Sequence, residues 1–111
     1  MTVRWQGLEA SVRIHLDPDV MKLVRGLGEQ AITVELTLDF EGDVLKSAVA
    51  FPGAAEPSLG FQRVTVDGLD VWWRQRLVLA AREPRVTTRV RPRRLYVSTV
   101  GRALTATAEY A

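Results

Sequence analysis

The chain has 111 residues, carries 15 basic against 13 acidic side chains, is 47% hydrophobic and contains one histidine and no cysteine. A single domain of this size buries roughly two thirds of its unfolded surface and needs neither disulfides nor a structural metal to hold. The missing thiols exclude a cysteine nucleophile, an all-cysteine zinc site and a thiolate-held iron–sulfur cluster, and the lone His15 excludes a histidine-rich metal site.

The first residues, MTVRWQGLEASVRIHL, contain no basic stretch followed by an apolar run of secretory type. No segment approaches the roughly 18 apolar residues of a spanning helix. A cytoplasmic protein with no membrane partner is therefore expected. Charge is uneven along the chain: residues 1–60 hold 5 basic and 9 acidic side chains, residues 61–111 hold 10 and 4. The basic half offers itself to an acidic partner or to the other half. Arginine supplies 13 of the basic residues, a skew that genome composition alone can produce.

A strand at Val12–Leu16 leads into the clearest helix signal. Asp17 suits the N-cap, Pro18 the first helical position and Asp19 the positive end of the dipole. Val20, Leu23, Val24 and Leu27 follow at i, i+3, i+4, i+7, and Gly28 is placed to end the helix, which predicts an amphipathic helix over 18–27. From Ile32 to Phe40 apolar and polar residues alternate strictly, the pattern of a strand with one wet face and hence of an antiparallel sheet. Glu41-Gly42-Asp43 supplies a turn, Val44–Phe51 the returning strand, and residues 52–60 a loop rich in proline and glycine.

Asp67-Gly68 between Val64-Thr65-Val66 and Leu69-Asp70-Val71 predicts a two-residue hairpin, because both turn positions need φ > 0. Its register sets Val66 against Leu69, Val64 against Val71, Arg63 against Trp72 and Phe61 against Arg74. Beyond Trp73 two readings stand: a strand ending near Arg74, which is preferred, and a helix over 75–83. Val86–Val100 is β-rich but interrupted by Pro92, which suggests an edge strand or a bulge. A last strand is expected over Ala103–Tyr110.

Three groups of residues invite a chemical reading. Asp39 to Asp43 cluster oxygens around a glycine turn as calcium loops do, yet Ala50 stands where the bidentate glutamate belongs, which leaves a polar turn. His15 lacks a partner set for nucleophilic catalysis and reads as a strand histidine. The hairpin register puts Phe61, Arg63, Trp72, Arg74 and Arg76 on one face, and Arg89, Arg91, Arg93 and Arg94 could extend it. Arginines beside aromatic rings on a sheet hold single-stranded nucleic acids by stacking and phosphate contacts. The same pairs also form ordinary intramolecular cation–π contacts, and charges with proline protect edge strands from aggregation.

The order of strand, short helix, long alternating strand and the hairpin Val64-Thr65-Val66-Asp67-Gly68-Leu69-Asp70-Val71 resembles the HesB or A-type iron–sulfur carrier domain over about two thirds of the chain. That family places one cysteine after the first long strand and a Cys-Gly-Cys near the C-terminus. The corresponding regions here, Asp39–Leu45 and Thr99–Ala106, hold none. The resemblance therefore implies a shared fold without cluster transfer.

Taken together, the sequence predicts an α+β domain: one helix packed on a mostly antiparallel twisted sheet or partial barrel of five to seven strands. The expected core includes Leu23, Val24, Leu27, Ile32, Val34, Leu36, Leu38, Val64, Val66, Val71 and Trp73. No cofactor, metal site or catalytic constellation is expected. The function expected is that of a non-enzymatic cytoplasmic module acting through protein contacts, as a homodimer or within a larger assembly. The alternative is nucleic-acid or polyanion binding through the arginine and tryptophan face.

Overall fold

The computed structural model describes residues 12–38, 45–56, 59–77, 85–86 and 91–110. Among them are one helix and eight strands, the strands divided between a three-stranded and a five-stranded sheet. The fold is α+β and dominated by sheet, and no barrel closes among the described residues.

β1 (Arg13–Leu16) feeds directly into α1 (Pro18–Gly26). Asp17 caps the helix, its carboxylate accepting from the Asp19 N–H at 3.1 Å. The Asp17 N–H in turn donates to Val97 O at 2.9 Å, which ties the helix start to the sheet beneath it. Val20 and Val24 are fully buried and Leu23 partly so. Leu27, expected in the core, is instead 57% exposed. The helix runs out at Gly26, and Leu27 occupies the cap where the chain already turns away from the apolar stripe.

β2 (Ala31–Leu38), β3 (Leu45–Pro52), β4 (Gln62–Val66), β5 (Leu69–Leu77) and the two-residue β6 (Arg85–Val86) form the larger sheet in the order β3-β2-β5-β4, with β6 on β5. The Asp67-Gly68 hairpin has the predicted register, with Val66 opposite Leu69, Val64 opposite Val71 and Arg63 opposite Trp72. Both turn residues have positive φ, 51° and 82°. Ile32, Val34, Leu36 and Leu38 point inward, as alternation requires.

The partner of β2 overturns one expectation. β2 is central, antiparallel to β3 but parallel to β5, and its outward face is not fully wet: Thr33 is 1% exposed. Alternation records that the two faces differ in chemistry; here Thr33 is closed off, its hydroxyl donating to Gly53 O at 2.8 Å where the chain leaves β3. The strand reading beyond Trp73 extends further than expected, to Leu77, so residues 75–77 are not helical; residues 78–84 and the turn at 39–44 lie outside the described residues.

β7 (Arg94–Val100) and β8 (Ala103–Glu109) form the smaller sheet with β1, in the order β1-β7-β8, β1 parallel to β7. Pro92 interrupts no ladder. It precedes β7, which is a central strand rather than an edge. β8 runs beside β3, so the sheets close over one core of Val20, Val24, Ile32, Val34, Leu36, Leu69, Val71, Trp73, Leu95 and Val97, among others. Val64 and Val66 are only partly buried because β4 is an edge strand at the core's rim.

Candidate functional site

Ladder register assembles the outer face of the larger sheet. One row runs Phe51, Thr33, Trp72, Arg63 across β3, β2, β5 and β4; the next runs Val49, Glu35, Arg74; the third Ser47, Thr37, Arg76. Five of the sequence-predicted residues, Phe61, Arg63, Trp72, Arg74 and Arg76, therefore do meet on this face.

Their charges are largely committed within the molecule. Glu35 receives Arg74 Nε and Nη2, each at 2.6 Å to Oε2, and Arg76 Nη1 at 3.2 Å to Oε1. The Arg74 and Glu35 side chains are only 15% and 19% exposed, which strengthens the pair relative to a solvated one. Arg74 Nη1 also donates to Leu59 O at 2.7 Å, and its guanidinium lies 4.5 Å from the centroid of Phe61. The predicted pairing of Phe61 with Arg74 is thus realised as a stacked contact just beyond the ladder. Arg63 sits 5.6 Å over Trp72, 4.0 Å from Asp70 and 58% exposed, and Asp70 also accepts from the Thr65 hydroxyl at 2.9 Å. Trp72 is half-buried, its indole N–H enclosed and without a hydrogen-bond partner among the described residues, and Arg63 sits over its ring.

Three residues on or beside this face carry the exposed apolar surface: Val49, Phe51 and Leu59, at 48%, 49% and 50%. Sequence reading missed them as a group, since β3 was assigned no outer face and the 52–60 loop no fold. The chain leaves β3 through Gly53 (φ 107°), whose N–H donates to Ala31 O at 2.7 Å and whose carbonyl accepts from the Thr33 hydroxyl at 2.8 Å. That turn folds the following segment back over the sheet. Between segment and sheet lies a cavity of about 240 Å³ lined by Thr33, Glu35, Phe51, Ala55, Glu56, Leu59, Phe61 and Arg74.

The arginines of the 89–94 stretch stand elsewhere. Arg89 lies outside the described residues, Arg91 and Arg93 lead into β7 of the smaller sheet, and Arg94 is its first residue. Arg91 has one guanidinium nitrogen buried without a partner among the described residues, and Arg93 is exposed. Arg94 donates to the Tyr96 hydroxyl at 3.4 Å and lies 3.9 Å from Glu109; Tyr96 first and Glu109 second raise its pKa further. Tyr96 in turn stacks on His15, centroids 5.2 Å apart, and His15 is an exposed residue of β1, as the strand reading expects.

Among the described residues no group of three or more histidine or acidic side chains is placed to hold a metal, and no helix is long and apolar enough to cross a membrane. The Thr99–Ala106 region, where the HesB-like resemblance would put ligands, is the β7–β8 hairpin. Comparisons with protein-family models, with curated proteins and with solved structures find no match in any of the three.

Proposed function

We propose that the chain is a non-enzymatic binding module that acts through protein contacts, using the outer face of the larger sheet to form a homodimer or to join an assembly. The observation that carries this reading is the apolar group Val49, Phe51 and Leu59, left about half exposed next to a charge cluster that is already paired internally. Such a group gains by losing water, and the Glu35 cluster beside it is already internally compensated. A cytoplasmic setting accords with the cysteine-free sequence. Sedimentation velocity at micromolar concentration tests self-association. The parent should sediment as a dimer and Phe51→Asp as a monomer of unchanged melting temperature. A strictly monomeric parent that also retains no protein through this face leaves the proposal without support.

A second reading, polyanion or nucleic-acid binding, rests on one observation: Arg63 stays solvent-accessible above Trp72. Arg74 and Arg76 are drawn away from it by Glu35. Under this reading a labelled single-stranded oligonucleotide binds at low salt and is released steeply as salt rises, and both Arg63→Ala and Trp72→Ala weaken it. Anisotropy that shows no binding at low salt removes this class. Binding that ignores Trp72 assigns the effect to net charge alone.

A further inference from the structure

We infer that the cavity lined by Phe51, Ala55, Glu56, Leu59 and Phe61 against the sheet is a recognition pocket for one bulky apolar side chain that stands next to a lysine or arginine in a partner protein chain. This rests on the protein-contact reading above and adds what is recognised.

The size comes first. At about 240 Å³ the cavity falls below the roughly 300 Å³ at which pockets for drug-sized ligands begin, so it takes a single side chain. Its walls are Phe51, Ala55, Leu59 and Phe61. Its polar floor already has partners: the Thr33 hydroxyl donates to Gly53 O, both Glu35 oxygens accept from arginines, and Arg74 divides its donors between Glu35 and Leu59 O. A polar ligand would have to give up water for groups already bonded to one another, whereas an apolar one gains contact with both phenylalanines.

The charge on the rim comes second. Arg76 supplies the cluster a second cation, but it lies off the lining and turns to Glu35. Glu56 is exposed, lines the cavity and has no ion pair among the described residues. A carboxylate at the mouth of an apolar pocket favours a cation next to the inserted group.

The pocket is also formed in advance. The Leu59 N–H donates to Glu56 O at 3.1 Å, Arg74 holds Leu59 O, and the same guanidinium covers Phe61. These contacts fix Leu59 and Phe61 of the lining before a partner arrives, which lowers the ordering cost at those two positions.

The test uses the intact ¹⁵N-labelled chain and three capped tetrapeptides: acetyl-Gly-Trp-Arg-Gly-amide, acetyl-Gly-Trp-Glu-Gly-amide and acetyl-Gly-Ala-Arg-Gly-amide. The first should shift the amide signals of Phe51, Ala55, Glu56 and Leu59 saturably. Glu56→Gln, on an exposed position that leaves the fold intact, should weaken it roughly threefold, the effect of one exposed ion pair. The peptide lacking the ring should not saturate, and the acidic one should bind more weakly than the first. Unmoved pocket signals with the first peptide, or equal binding of the acidic peptide, overturn the inference. Phe51→Asp in the sedimentation experiment separates the two proposals: if it abolishes self-association while no peptide binds, the contact face stands and the pocket falls.

Discussion

Glu35 is the acceptor on which the outer face is organised, although nothing near it in sequence announces this. Its two arginine partners are about forty positions away and two residues apart, at Arg74 and Arg76 on the same face of β5. The inward face has a polar pair of its own: the Tyr110 hydroxyl donates to Gln75 Oε1 at 2.6 Å, with Gln75 1% exposed. Burial pushes the Tyr110 phenol from 10.0 up to about 12. The folded state thus holds this proton more tightly than the unfolded chain. The stability it contributes is whole below about pH 10 and is lost as pH rises towards 12. Because the ring is only half-buried, the effect is on the order of 1 kcal/mol after solvent screening. Urea unfolding at pH 8 and pH 11 should show a larger loss for the parent than for Tyr110→Phe. Equal losses would remove Tyr110 from the alkaline sensitivity.

Elements closed by local chemistry are those a reader of the sequence can place. The Asp67-Gly68 turn is one. Its glycine has φ 82°, and a Cβ there would meet Arg25 Nη2 at 3.8 Å, an ordinary contact. Substitution is therefore opposed by the backbone and not by crowding. Gly68→Ala should cost about 1–2 kcal/mol, the left-handed penalty of an L side chain, and lower the melting temperature by several degrees without changing the register. A variant as stable as the parent would show that the turn tolerates another geometry. The cap at Asp17 and the stripe of α1 were legible for the same reason, since partners three or four residues apart carry the signal. The β2–β5 pairing was not legible, because alternation fixes which side chains share a face and is silent on which strand lies alongside. The candidate site divides along this line: Arg63 over Trp72 follows from a two-residue turn, whereas Glu35 beneath Arg74, and Phe51 beside Leu59, needed the parallel register and the fold-back at Gly53.

The whole molecule depends on β2, which lies between β3 and β5 and lines the core that both sheets close over. Leu36 is fully buried opposite Gln75, and Thr37, the next residue, turns to the outer face opposite Arg76. The two positions are neighbours on one strand and in the same ladder with β5, so substituting each in turn separates facing from β-propensity. Leu36→Asp places an unpaired carboxylate in the core and removes the apolar contacts of the leucine, a loss of several kcal/mol against a total stability of about 5–15 kcal/mol. Thr37→Asp places the same carboxylate beside a guanidinium at the surface. Circular dichroism should find no cooperative melt for Leu36→Asp at room temperature and above, and a melting temperature within a few degrees of the parent for Thr37→Asp. One kcal/mol moves the midpoint of a domain this size by roughly 4–8 °C, so the two outcomes are well separated. Should Leu36→Asp melt within about 2 °C of the parent, less than that shift, the inward facing of β2 would be wrong. The row that joins Glu35 to Arg74 on the opposite face would fall with it, since a strand's two faces exchange together when its register slips by one residue.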